Sequence, residues 1–224
     1  GCRFRVTTDT RRIRGGEMFF ALKGENFDGN DFVETALNNG AYWAVTDRES
    51  IPEGRGIIKV KDSLKALQDL AAYHRSQMGG GRLPVIGLTG TNGKTTTKNL
   101  IREVLSCRYS VTATEGNLNN DIGVPLSLLR ITPRTQVAII EMGANHPDDI
   151  ARLVKICKPD YGLITNIGKG HLLGFGSYNG VKQAKGELYK WLGEHRYSLI
   201  FLNEDDEVLR RMASAQPCNI FGYG

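Results

Sequence analysis

The run Thr89-Gly90-Thr91-Asn92-Gly93-Lys94-Thr95-Thr96 gathers two glycines, a lysine and several hydroxyls in one short stretch. That combination suits phosphate chemistry. Glycines let backbone N–H groups approach phosphate oxygens without a Cβ in the way. Lys94 adds a mobile positive charge for the β- and γ-phosphates, and the Thr95 hydroxyl can ligate Mg²⁺. The run follows the apolar segment Val85–Thr89 and precedes a helical pattern from about Thr95 to Cys107. Strand, Gly-rich turn and helix N-terminus, in that order, are what a phosphate-binding loop needs. The strict G-x-x-x-x-G-K-[ST] spacing fails at one position, where Leu88 replaces the first glycine. The competing reading is a Gly-rich turn that happens to carry a lysine. Gly90, Thr91, Asn92, Gly93, Lys94, Thr95 and Thr96 are therefore the expected nucleotide contacts.

A carboxylate comes next. Gln136–Met142 is a nearly continuous apolar strand with Glu141 at its C-terminal end. Open parallel sheets bind ligands beyond the carboxyl ends of their strands. Glu141 there can hold a metal that bridges two phosphates. The plainer alternative is a helix-capping acid. Asn166 ends the strand Tyr161–Asn166 at the same edge and is expected at the nucleotide as well. His171 and Lys185 are ambiguous taken alone. A lone histidine is as often structural as functional. Nothing in the spacing separates Lys185 from its helix neighbour Lys182.

These groups need a scaffold, and the chain offers one. Asp31–Asn39 and Asp62–Gln77 read as helices, and Met18–Leu22, Ala41–Val45 and Ile57–Val60 as strands. Residues 1–80 thus predict a small α/β unit that ends at the loop Met78-Gly79-Gly80-Gly81-Arg82-Leu83-Pro84. From residue 81 the pattern alternates strand and helix. The strands are 85–89, 111–114, 136–142, 161–166 and 198–202. The helices are about 95–107, 121–129, 147–156, 181–192 and 204–213, with Pro147 opening its helix. The expected fold class is α/β: a small N-terminal domain, then a P-loop-type parallel sheet with helices on both faces over 81–224.

Composition excludes several classes. The 224 residues are 40% hydrophobic and 24% charged, with a formal net charge of +5. That is a globular composition, not a disordered or fibrous one. No Lys/Arg run reaches five, so no nucleic-acid arm is indicated. No apolar run approaches the ~18 residues of a membrane span. Cys2, Cys107, Cys157 and Cys218 form no C-x-x-C pair, which fits reduced cysteines in a cytoplasmic protein and no zinc site. The first residue is Gly1, which predicts that the natural start lies upstream.

The phosphate run, the strand end Glu141-Met142-Gly143-Ala144-Asn145-His146 and the His171…Lys185 spacing together resemble the Mur ligases. These are ATP-dependent amide-forming enzymes of bacterial cell-wall synthesis. Three further segments resemble the last-acting member of that series. They are Asp9-Thr10-Arg11 with Ala21-Leu22-Lys23-Gly24, Gly116–Pro125, and Gly174-Phe175-Gly176-Ser177. The resemblance covers about residues 7 to 215, and the combination is more specific than any single motif. It implies that Lys94 and Thr95 grip ATP and Mg²⁺, that Glu141 binds Mg²⁺, and that His171 holds a second Mg²⁺. Lys185 matches a lysine that several members carry carbamylated, as a carboxylate-like ligand to that second ion. Thr10, Arg11, Lys23 and Gly24 would lie near a uridine diphosphate. Asn117, Asn119 and Asn145 would lie near a muramoyl peptide and the phosphates.

The implied substrates are UDP-N-acetylmuramoyl-tripeptide and D-Ala-D-Ala, joined through an acyl phosphate by a cytoplasmic, monomeric enzyme. Family members usually carry a third, C-terminal domain. The expectation is that residues 1–224 lack it and ligate poorly alone. The alternatives are another ligase of the family or its folate- and cyanophycin-type relatives, a P-loop kinase or GTPase, and a non-catalytic nucleotide-binding module. The absence of an Asn-Lys-x-Asp motif argues against a GTPase.

Overall fold

The computed structural model describes residues 5–24, 26–168 and 172–224. The chain divides into two compact units, Gly1–Leu70 and Ala71–Gly224.

In the first unit, four short strands form a parallel sheet in the order β1-β2-β3-β4. They are β1 (Val6–Thr7), β2 (Met18–Phe20), β3 (Trp43–Thr46) and β4 (Ile57–Lys59). Between β2 and β3 a 3₁₀ turn, Gly29–Phe32, leads into helix α1 (Val33–Asn38). The expected helix from Asp31 is thus a tight turn followed by a shorter helix. Its start is set by Asp28, whose side chain accepts the Asn30 N–H. Ile13, Phe19, Ala21, Val33, Ala36, Ala41 and Ala44 make the core. Helix α2 (Ser63–Gln77) runs across the division between the units. The Gly-rich segment after it is a 3₁₀ turn, Met78–Gly81, with Gly79 and Gly80 at positive φ.

The second unit is built on six parallel strands in the order β10-β9-β8-β5-β7-β6. In chain order they are β5 (Val85–Thr89), β6 (Val111–Ala113), β7 (Val137–Glu141), β8 (Tyr161–Ile164), β9 (Leu199–Asn203) and β10 (Asn219–Tyr223). The helices are α3 (Lys94–Ser106), α4 (Gly123–Leu129), α5 (Asp149–Cys157), α6 (Leu172–Phe175), α7 (Tyr178–Glu194) and α8 (Glu207–Ser214).

Strand alternation sorts the core into two faces. Val85, Ala138, Ile140, Ile164, Ile200 and Leu202 pack with α4, α5, α7 and α8. Leu88, Ile139 and Leu163 point the other way, against Ile101 and Leu105 of α3. Helices therefore cover both faces, as the alternating sequence predicts.

Strand order fixes where a ligand can sit. From β5 the chain moves through α3 to β6 at one edge and returns as β7 beside β5. It then crosses through α5 to β8 on the other side of β5. The order reverses at β5, so the crevice beyond its carboxyl end is the topological switch point.

Two expectations on this sheet need correction. The helix after β7 begins at Asp149 rather than Pro147. Asp149 Oδ2 accepts the backbone N–H groups of Asn145 and His146, at 2.9 and 2.8 Å. Asp148 sits at φ 66°, so residues 145–148 form a turn held by the first helical carboxylate. Strand β10 has no counterpart in the sequence reading, because most of its side chains are exposed and show no burial pattern.

Candidate active site

The turn between β5 and α3 lies at the switch point. Gly90 has φ 152° and Gly93 φ 78°, both outside the range comfortable for other residues. A Cβ on Gly90 would run into the Thr165 side chain. Glycine there lets the loop pass against the end of β8.

That end holds the loop in place. Thr91 N–H donates to Asn166 O at 3.1 Å, and Asn92 N–H to Asn166 Oδ1 at 3.1 Å. Asn166 Nδ2 and Thr165 Oγ1 both donate to Asn92 O, at 3.0 and 2.6 Å. Gly168 N–H donates to Thr91 Oγ1 at 2.9 Å. Asn166, expected at the nucleotide, here acts on the loop itself.

Lys94 Nζ donates to the carbonyls of Gly90 and Thr91, at 2.9 and 3.2 Å. Burial holds its ammonium below the ordinary lysine range, and the nearby charge of Glu141 opposes that shift. Thr95 Oγ1 donates to Glu141 Oε2 at 3.1 Å, which joins the helix N-terminus to the end of β7. Thr96 lies exposed in the same turn of α3.

Glu141 is buried, at 1% exposure, and its carboxylate bonds to side chains rather than to the backbone N–H groups that a helix cap would accept. Besides Thr95, its Oε1 accepts Asn119 Nδ2 at 2.9 Å, and Lys98 Nζ lies 3.3 Å from Oε2. Asn117 reaches this group through its carbonyl, which accepts the Asn119 N–H at 2.8 Å. The structure thus brings Lys94, Thr95, Asn119 and Glu141 into one cluster, with Asn117 behind it. Asn145 lies in the turn before α5, with its backbone on Asp149.

Lys98 was not among the expected site residues. A lysine inside an amphipathic helix reads as solvent-facing, yet this one is 2% exposed. Its one signal is position, since helical spacing puts it on the same face as Lys94 and Thr95.

Lys185, on α7, is also 2% exposed. Burial lowers its pKa to about 8, and the charge of Lys94 adds to that shift. Its Nζ lies 5.9 Å from the centre of the Phe175 ring. His171 lies outside the described residues. Among the described residues, no three His, Cys, Asp or Glu side chains are grouped to hold a metal.

The remaining expected residues sit in the first unit. Thr10 and Arg11 form a 3₁₀ turn that Asp9 caps. Arg11 is clamped to Asp9 by bonds of 2.8 and 2.9 Å from its guanidinium. Lys23 pairs with Asp47 at 3.1 Å, and Gly24 N–H donates to Phe27 O at 2.9 Å.

A parallel sheet with a Gly-rich loop at its switch point, a lysine and threonine opening the following helix, and a buried acid on the neighbouring strand define a phosphate-loop α/β protein. Residues 88–224 match the Mur ligase middle domain, and residues 5–75 match the model described as Mur ligase family, catalytic domain. The chain belongs to the Mur ligase family.

Within that family it is 41% identical over 98% of its length to the UDP-N-acetylmuramoyl-tripeptide–D-alanyl-D-alanine ligase of Bacillus subtilis, and covers 47% of that protein. The Escherichia coli enzyme of the same name is 42% identical over 90% of the chain, which covers 44% of it. A crystal structure of MurF from Acinetobacter baumannii superposes with a TM-score of 0.88 at 38% identity, over 98% of this chain and 48% of that one. MurF ligase from Thermotoga maritima in complex with ADP gives 0.88 at 34% identity, over 99% and 50%. The chain spans about half the length of the curated relatives it matches.

Proposed function

We propose that this chain carries the nucleotide site and the UDP-sugar site of an ATP-dependent ligase that joins D-Ala-D-Ala to UDP-N-acetylmuramoyl-tripeptide. The observation that carries the reading is the Thr95–Glu141 contact at the mouth of the Gly-rich loop, in a chain 41% identical to such a ligase.

The chemistry follows from the parts. The terminal carboxylate of the tripeptide attacks the γ-phosphorus of ATP, and ADP leaves. The D-Ala-D-Ala amine then attacks the acyl carbon, and phosphate departs with one former carboxylate oxygen. Both steps need positioning and charge neutralisation more than covalent help from the protein. The loop N–H groups and the α3 N-terminus cradle the phosphates. Lys94 exchanges its two carbonyl contacts for phosphate oxygens. Asn166 and Thr165 keep the loop open by holding its Asn92 corner.

A magnesium ion fits the donor set. Glu141 and Thr95 present hard oxygens side by side, the acid buried and the threonine open to solvent, the kind of ligand Mg²⁺ prefers. When bound, the ion neutralises phosphate charge as the anionic nucleophile approaches. Lys185 fits its expected carbamylation, because a lysine with pKa about 8 offers a neutral amine near physiological pH. His171 completes that reading as the partner ligand for a second ion. In the first unit, Thr10, Arg11, Lys23 and Gly24 are proposed for the uridine diphosphate, with Asn117, Asn119 and Asn145 on the muramoyl peptide side. A cytoplasmic monomer is part of the same proposal. Among the described residues no helix is long and apolar enough to cross a membrane.

The test is incubation of the full-length protein with ATP, Mg²⁺, UDP-N-acetylmuramoyl-tripeptide and D-Ala-D-Ala. Phosphate release should require the dipeptide and match pentapeptide formation. Phosphate release indifferent to D-Ala-D-Ala would overturn the assignment. ATP binding without turnover would favour a non-catalytic module.

A further inference from the structure

The Lys98–Glu141 pair is the most enclosed pair of opposite charges among the described residues. Each side chain is 2% exposed, and Nζ lies 3.3 Å from Oε2. Neither the phosphate loop nor the family resemblance assigns Lys98 a task. We propose that Lys98 is a positioning residue for Glu141: it supplies the buried counter-charge that fixes the carboxylate against Thr95 and the phosphate loop.

A buried carboxylate needs a partner, because desolvating an isolated charge is very costly. Glu141 has two neutral partners, the Thr95 hydroxyl and the Asn119 amide. Among the described residues, Lys98 is the cation in contact with it. Lys94, one helical turn earlier, spends its Nζ on the Gly90 and Thr91 carbonyls. The two lysines therefore divide the work. Lys94 is partly open and faces the loop interior, while Lys98 is enclosed and faces the acid. Lys98 Nζ is engaged with Glu141 rather than with the phosphate loop, so Lys98 acts through Glu141.

The arrangement also sets geometry. Oε1 is held by Asn119, and Oε2 by Thr95 and Lys98. These partners come from two segments, helix α3 and the loop that carries Asn119, and together they hold both carboxylate oxygens. Residues that orient a ligating carboxylate typically change metal affinity ~10–100-fold when removed.

The effect on nucleotide binding rests on the reading of Glu141 as a Mg²⁺ ligand; the effect on stability does not. The experiment is a double-mutant cycle of Lys98→Met, Glu141→Gln and the double variant in the full chain. Thermal unfolding is measured in EDTA, and ATP affinity with and without Mg²⁺. Lys98→Met should lower Tm by about 10 °C. Adding Glu141→Gln should recover most of that loss, since a neutral amide needs no cation. Lys98→Met should leave metal-free ATP affinity within about threefold of wild type. The extra affinity that Mg²⁺ confers should fall about tenfold.

Additive effects of the two substitutions on Tm would overturn the proposal. So would a loss of metal-free ATP binding as large as that of Lys94→Ala, which would make Lys98 a phosphate ligand. If Lys98→Met does not fold, a folded double variant supports the pairing and an unfolded one refutes it. If wild type gains no ATP affinity from Mg²⁺, the metal reading of Glu141 fails, while the EDTA cycle still decides the pair.

Discussion

Asn92 and Asn166 clasp each other across the mouth of the central sheet. Asn166 accepts the Asn92 N–H on its side-chain oxygen at 3.1 Å and returns its amide to the Asn92 carbonyl at 3.0 Å. The loop after β5 and the loop after β8 are thereby one structure. The shape of the phosphate loop depends on a residue far away in sequence.

Asn166→Ala removes both bonds while leaving the loop sequence intact. Two hydrogen bonds of ~1 kcal/mol each correspond to about 10–30-fold in affinity if the loop must be re-formed on binding. ATP affinity by calorimetry should fall by that factor with little change in Tm. Unchanged affinity would show that the loop is held without the clasp.

Gly90→Ala should be more severe. The added methyl would strike Thr165, and φ 152° is unfavourable for alanine. Nucleotide binding should disappear and Tm should fall. Pairing it with Thr165→Ala removes the Oγ1 atom that the methyl would strike, at the cost of its bond to Asn92. Partial recovery of binding in that double variant checks the steric explanation.

Lys185 carries the pH dependence. Its folded pKa is about 8, depressed chiefly by burial and further by Lys94, against an ordinary value of 10.5. A depressed lysine binds fewer protons folded than unfolded, so its contribution to stability rises with pH between about 8 and 10.5. Below pH 8 the folded state must carry the buried charge and gains nothing. Amine labelling of Lys185, followed by peptide mass spectrometry, should rise with a midpoint near pH 8. Lys94→Met should move that midpoint upward. A midpoint near 10.5 would contradict the burial argument.

Arg75 tests the opposite edge of the same unit. It is 7% exposed, and its guanidinium donates to the carbonyls of Cys157 and Lys158 at 3.2 and 2.9 Å and to Asp160 at 3.0 Å. Asp160 also accepts the Val85 N–H at 2.9 Å, so this cluster anchors the start of β5. Asp160 is half exposed, and the ion pair itself contributes little. The two carbonyl bonds, one of them buried, dominate, and Arg75→Ala should cost about 2 kcal/mol in urea unfolding. Lys94-dependent nucleotide binding should persist in that variant.

The central sheet was legible because its strands are buried on both faces and read as unbroken apolar runs, as in Val85–Thr89 and Val137–Glu141. Glycines 90 and 93 and the Lys94-Thr95 pair announced the loop, because few other uses need those residue types together. Three things were not legible. Burial of Lys98 depends on Glu141 meeting it from a distant strand, and helical periodicity alone assigns such a lysine to solvent. The bonds of Asn166 to the loop join two distant segments, and an asparagine at a strand end does not announce them. The exposed strand β10 lacks the alternation that marks a buried one.

The most direct test of the account follows the oxygen atoms. The full-length protein is given ATP, Mg²⁺, D-Ala-D-Ala and UDP-N-acetylmuramoyl-tripeptide labelled with ¹⁸O in its terminal carboxylate, with Lys94→Ala as control. If the carboxylate attacks the γ-phosphorus, each phosphate released with pentapeptide carries one labelled oxygen, and the control releases none. Unlabelled phosphate formed alongside pentapeptide would contradict the acyl phosphate route.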